Sequence, residues 1–175
     1  MTHTRSDGNT ILKDEARTPA SLFTLINAHY HPNTDLFTNG AENSCCVDYY
    51  HRTDSNNLGF LHPDIHLLPH DVGYANPPYS HPFPFIQKCY IETLTIPHTR
   101  IIMLLPADTS TKWFHQYCMK ASEIVFLEGR ITFHNPNGTR MTGTPQFGNM
   151  LVVFDGDSGG TNPKMSSMKW KEDKV

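Results

Sequence analysis

The chain has 175 residues, with 14 Lys and Arg against 17 Asp and Glu, for a formal charge of −3 at pH 7. A composition that is 38% hydrophobic and 18% charged is compatible with one globular domain holding a real core. No apolar run approaches the ~18 residues of a membrane span, and MTHTRSDGNT has no signal-peptide core, so a soluble intracellular protein without a membrane partner is expected.

Residues 1–16 are polar and without period, and are expected to form a flexible tail ahead of a domain over 17–157. Thr18-Pro19 reads as a helix N-cap with proline in the first turn, and Leu22, Phe23, Leu25 and Ile26 give an apolar face through about Ala28. A short strand ends at Asp35-Leu36. The stretch 38–71 is irregular, with Asn39-Gly40 and Asn56-Asn57 as turn signals, and Val47 to Tyr50 fits a helical turn or a short strand. Pro84 to Thr93 reads as a helix with Phe85, Ile86, Cys89 and Tyr90 on one face. Arg100 to Leu105, ended by Pro106, has the continuous apolar run of a buried parallel strand.

Thr111 to Ala121 is expected to be helical, and Ile124–Leu127 and Ile131–Phe133 to be short strands. Residues 134–148 are rich in Asn, Gly, Thr and Pro, the composition of a flexible hairpin or lid. Met150 to Phe154 reads as the last strand, and 158–175 as a flexible, weakly basic tail carrying Lys164, Lys169, Lys171 and Lys174. The alternation of strands and helices argues an α/β fold.

Cysteines and histidines carry little. Cys45 and Cys46 are adjacent, which strains mutual pairing, and Cys89 and Cys118 fall in predicted helices, so four thiols are expected. His62, His66 and His70 have ligand-like spacing, but Pro63 and Pro69 interrupt the segment and no metal is expected.

The most informative residues are Asn76-Pro77-Pro78-Tyr79, after a short apolar approach and before a proline-rich turn. The Asn76 amide carbonyl and the Pro77 main-chain carbonyl can both accept hydrogen bonds from one exocyclic amine. The two prolines fix the backbone and remove competing N–H donors. Tyr79 supplies a ring to stack on the base that carries the amine. The arrangement suits methyl transfer to an aromatic amine by orientation and electrostatics rather than by a general base. A base within a duplex must first be flipped out, at a cost of a few kcal/mol.

In several blocks from about Arg17 to about Asp155, the chain resembles the small phage-type DNA adenine-N6 methyltransferases. The blocks are RTPASLFTLINAHY, TDLFTNGAEN, ANPPYS, RIIMLLPADTSTKWFHQYC, EIVFLEGRITF and NMLVVFD. The resemblance implies a single-domain Rossmann-like methyltransferase fold, S-adenosylmethionine as cofactor, and the amine of adenine in DNA as acceptor. It makes Asn76 to Tyr79 the catalytic loop and places Thr18, Pro19 and Asp35 at the methionine end of the cofactor, with Phe37 or Asn43 nearby. TDLFTNG lacks the full glycine-rich turn of such cofactor blocks.

If the strand end at Pro106 borders the site, Asp108, Thr109 and Trp113 fall near the substrate, with Asp108 ordering the loop rather than acting as a base. Trp113 and Phe114 are otherwise the core and cap residues that such a turn more often supplies. Arg130 either pairs with a buried carboxylate or reaches a phosphate, and Arg100, Lys112 and Arg140 are expected near the edges of the site. The acidic balance is awkward for DNA, so a homo-oligomer or partner subunit aiding DNA binding is kept open. The rival readings are the same chemistry on RNA or on a protein glutamine, and a non-catalytic methyltransferase-like binding subunit.

Overall fold

The computed structural model describes residues 14, 16–38, 40–51, 59–142, 146–158 and 162–171. Asn39, Asn56 and Asn57, named above as turn signals, lie outside the described residues, as do residues 143–145 of the 134–148 loop and Lys174. The strands are β1 (Thr34–Thr38), β2 (Asp48–His51), β3 (Val72–Ala75), β4 (Arg100–Pro106), β5 (Glu123–Leu127), β6 (Asn149–Asp155) and β7 (Lys164–Met168). The helices are α1 (Ala20–Tyr30), α2 (Phe83–Thr95) and α3 (Lys112–Gln116), the last followed by a 3-10 turn at Cys118–Lys120.

The seven strands form one sheet in the order β2-β1-β3-β4-β6-β5-β7. The β2, β1, β3 and β4 neighbours are parallel, and so are β5 and β7, but β6 runs antiparallel between β4 and β5. This is a mixed α/β domain with a mostly parallel sheet, consistent with a Rossmann-like methyltransferase fold.

β4 shows why the sheet sits at the centre. Six of its seven residues are buried, and successive side chains enter opposite layers, as the two-residue strand period requires. Ile101, Met103 and Leu105 join the layer of Ile86, Cys89, Trp113 and Phe114. Ile102 and Leu104 join the layer of Leu22, Ile26, Leu151 and Trp170. With core strands fixed on both faces, β1, β3 and β4 hold their carboxyl ends at one edge of the sheet.

Several expectations are corrected. Thr18 is not a helix cap: α1 starts without a side-chain cap bond, and the Thr18 hydroxyl lies 2.6 Å from the Tyr74 hydroxyl. Ile131–Phe133 is not a strand, because the chain there meets only isolated bridges at His134, to Arg17 and to Arg140. Val47 to Tyr50 resolves as a strand, with Asp48–His51 pairing β1. The supposed C-terminal tail contains β7, which pairs along β5 from Glu123↔Lys164 to Leu127↔Met168, and Trp170 beyond it is buried. Its Lys and Ser content hid a strand whose outer face is exposed. Arg100 begins β4 and pairs with Asp155, which puts it at the edge opposite the strand carboxyl ends. Among the described residues, no helix is long and apolar enough to cross a membrane.

Candidate active site

At the carboxyl edge, a cavity of about 130 Å³ is lined by Ala16, Thr18, Asp35, Phe37, Asn43 and Asn76, among others. It lies where β1 turns toward β2 on one side and β3 on the other, the switch point at which open α/β sheets bind ligands. Asp35 is 5% exposed; its Oδ1 accepts from the Phe37 N–H at 3.3 Å and its Oδ2 from the Cys45 N–H at 2.9 Å. Burial pushes its carboxyl up to about 6, and those two bonds restrain the rise. Both partners are neutral, so the carboxylate is equipped to receive a cation from the cavity.

The turn after β1 is closed without a glycine run. The Thr38 hydroxyl donates to the Gly40 carbonyl at 2.9 Å, while Asp35 gathers the Cys45 N–H from the returning chain. Phe37 meets Phe85 edge-on at 4.8 Å and Phe60 at 5.7 Å, giving the cavity an aromatic wall.

The loop after β3 is held from the N-terminal side. Asn76 Nδ2 donates to the Ala16 carbonyl at 2.8 Å, which uses the donor end of the amide and turns Oδ1 away from that contact. Asp14 accepts from the Ser80 N–H at 3.2 Å and from the Ser80 hydroxyl at 2.5 Å. Arg17 exchanges both main-chain bonds with His134 and reaches the Glu42 carbonyl. Residues 14 and 16 are therefore a strap against the loop, which corrects the expectation of a free tail to residue 16. Residues 1–13 and 15 lie outside the described residues.

Tyr79 is anchored on the β4 side. Its hydroxyl donates to the Leu104 carbonyl at 3.2 Å and accepts from Asn149 Nδ2 at 3.1 Å. Its ring meets Phe133 edge-on at 5.7 Å. Burial raises the phenol well above its ordinary range, so it stays protonated. Asn76 and Pro78 line the cavity; Pro77 is buried, and neither Pro77 nor Tyr79 is among the lining residues.

The other expected residues divide. Thr18, Asp35, Phe37 and Asn43 share the cavity, whereas Pro19 is buried at the start of α1 and does not line it. Asp108, Thr109, Trp113, Arg130 and Arg140 are absent from the lining. Asp108 accepts from the Ser110 N–H at 3.0 Å and hydroxyl at 2.6 Å, which orders the loop after β4. Trp113, 7% exposed, packs in the core and is not a substrate platform, because α3 turns it onto the sheet. Thr109, Arg130 and Arg140 are exposed.

Ala16, Phe133 and Asn149 were not singled out from the sequence. Ala16 contributes a main-chain carbonyl, which no residue type announces. Asn149 does carry a signal, as the polar first residue of the apolar strand NMLVVFD.

The family model for DNA N-6-adenine-methyltransferase (Dam) matches residues 5–174. A DNA N-6-adenine-methyltransferase of Haemophilus phage HP1 (strain HP1c1) is 31% identical over 157 residues, 87% of this chain and 84% of that protein. A DNA N-6-adenine-methyltransferase of Escherichia phage T1 is 29% identical over 121 residues, 69% of this chain and 48% of that protein.

Proposed function

The chain belongs to the DNA N-6-adenine-methyltransferase (Dam) family and is a DNA adenine-N6 methyltransferase; we propose that S-adenosylmethionine is its methyl donor, received in the cavity over β1, and that Asn76 to Tyr79 hold the adenine. The residues present fit that donor. Asp35 offers a buried carboxylate to the methionine ammonium, Thr18 and Asn43 add polar groups beside it, and the Phe37 wall suits a sulfonium through its ring faces. When bound, S-adenosylmethionine would supply an electrophilic methyl group on a sulfonium sulfur, which leaves as a neutral thioether when the S–CH3 bond breaks.

The chain's own work is orientation. Asn76 Oδ1 and the Pro77 carbonyl accept from the adenine amine and favour a pyramidal nitrogen facing the methyl carbon. An amide is not basic, so Asn76 holds the amine without taking its proton, which leaves to solvent once the N–C bond has formed. Tyr79 stacks on the extruded base, recovering part of the cost of flipping. Arg130 and Arg140, on exposed loops beyond β5, are the residues assigned here to phosphate contact. A second subunit adding basic surface fits the same reading, given the net charge of −3. An intracellular location follows from the substrate.

The observation that carries the proposal is that the buried Asp35 carboxylate and Asn76 line one cavity. The test is incubation with methyl-labelled S-adenosylmethionine and, separately, unmethylated DNA, RNA and protein, followed by nucleoside analysis. Label recovered as N6-methyladenine in DNA, and lost by orders of magnitude in folded Asn76→Ala, is the expected result. Undiminished transfer by Asn76→Ala overturns the assignment.

A further inference from the structure

We propose that Asn149 is a positioning residue for methyl transfer, acting through the Tyr79 hydroxyl to set the plane of the ring on which the adenine stacks. The inference rests on the reading of Asn76 to Tyr79 as the adenine-binding loop.

Asn149 opens β6 and is 4% exposed, a buried amide at the start of an otherwise apolar strand. Buried amides persist where their hydrogen bonds are used, and this one uses both amide hydrogens toward the site. Nδ2 donates to the Tyr79 hydroxyl at 3.1 Å and to the Leu105 carbonyl at 3.4 Å. The Leu105 carbonyl fixes the amide's orientation, because the reversed amide would set Oδ1 against that oxygen. The Tyr79 hydroxyl then has one role left for its proton, and it donates to the Leu104 carbonyl at 3.2 Å. One lone pair and one proton of the phenol are thus tied to β6 and β4 respectively.

The sheet makes this possible. Asn149 pairs with Pro106 across the β4–β6 ladder, and proline has no N–H to give there. The next ladder bond is displaced to Ala107 N–H with the Gly148 carbonyl at 2.9 Å. The Asn149 side chain fills this strand end and reaches over it to the loop after β3. Phe133 meets the Tyr79 ring edge-on at 5.7 Å and 88°. A T-shaped contact and a hydroxyl tied at two points leave the ring little freedom to tilt. Stacking alone needs only a ring face, whereas in-line transfer needs the base, and so the ring, in one plane.

Four proteins test this with methyl-labelled S-adenosylmethionine and unmethylated plasmid DNA: parent, Asn149→Ala, Tyr79→Phe and the double variant. Asn149→Ala is expected to lower kcat roughly tenfold, the scale of a small misplacement of reacting groups, with KM for S-adenosylmethionine unchanged. Tyr79→Phe keeps the ring but loses both ties, and is expected to lower kcat by a similar factor. The double variant is expected to be no slower than either single variant by more than about twofold, because both act on one hydroxyl.

Multiplying losses in the double variant would assign Asn149 to general sheet stability and overturn the proposal. So would parental kcat in Tyr79→Phe, which leaves β6 intact and so decides the matter even if Asn149→Ala folds poorly. Asn76→Ala run alongside separates the two levels. If it is inactive while the Asn149 and Tyr79 variants keep parental kcat, only this inference fails; if it is active, the catalytic loop itself is misassigned.

Discussion

Lowering pH should weaken binding of S-adenosylmethionine through Asp35, whose burial moves the midpoint toward neutrality. An ordinary aspartate would stay ionised to about pH 4, but burial raises the Asp35 carboxyl to about 6. Its ionised fraction then falls from roughly nine-tenths at pH 7 to roughly one-tenth at pH 5, and the affinity for a ligand that requires the carboxylate falls about tenfold. The neighbouring Cys45 thiol, pushed up to about 12 by burial and by Asp35, and the Tyr74 phenol, also raised by burial, do not titrate in this window.

The sign for stability is the opposite. A carboxyl raised in the folded state penalises folding once it ionises, so the penalty grows from pH 3.8 and reaches about 3 kcal/mol above about pH 6. The ligand-free protein therefore loses this contribution as pH rises while the liganded complex gains. Calorimetric titration of S-adenosylmethionine from pH 8 to pH 5, repeated with Asp35→Asn, is the measurement. The parent should lose affinity with a midpoint near pH 6, and the variant should bind weakly with a flatter profile. A flat parent profile, or an equal slope in the variant, refutes the assignment of Asp35, since every other group remains in both proteins.

Three further outcomes are expected. Glu92, 1% exposed, accepts from Lys88 Nζ at 2.7 Å, the Leu67 N–H at 3.1 Å and the His66 ring at 2.8 Å. Glu92→Gln leaves the Lys88 charge uncompensated and should cost about 3 kcal/mol by urea unfolding at pH 7. Burial alone would raise Glu92, but those bonds outweigh it and hold its carboxyl below the ordinary range, so its contribution is lost as pH falls through that depressed value. Ile102→Ala, at a fully buried position of β4, should cost about 3 kcal/mol in the same assay. Arg140→Ala should weaken DNA binding and reduce the salt slope by about 1, whereas Arg100→Ala, paired with Asp155 at the far edge, should change neither. Equal effects of the two arginines in a filter-binding salt series would remove Arg140 from the interface.

The parts of the fold legible in the sequence were those whose burial writes a pattern. RIIMLLP is apolar on both faces because β4 is covered by both layers, and NMLVVFD reads as a strand for the same reason. β7 was missed because KMSSM sits at the edge of the sheet, where main-chain pairing needs no apolar side chains. Within the site, Asn76 was singled out for the chemistry of its amide and Asp35 through the resemblance, and the two line one cavity. The Ala16 carbonyl and the Leu104 carbonyl were not singled out, since every residue carries one. Trp113 was open between core and substrate because an indole at a strand exit serves either, and the direction of α3 puts it in the core.

The insertion of β6 between β4 and β5 has a consequence for the order in which the molecule is made. Strands β2, β3 and β4 each leave the ribosome with one neighbour already made and can pair as they emerge, and β1 finds β2 within a few residues. β5 cannot, because both of its partners, β6 and β7, are synthesised after it. The strand EIVFL therefore waits with both edges open, an interval in which unpaired strand edges are open to aggregation. Asn149 arrives in that same late segment, so the Tyr79 hydroxyl keeps only its Leu104 tie until then. A chain released before β6 would carry every residue that lines the Asp35 cavity, yet would lack a central strand of the sheet and the amide that steadies the tyrosine ring.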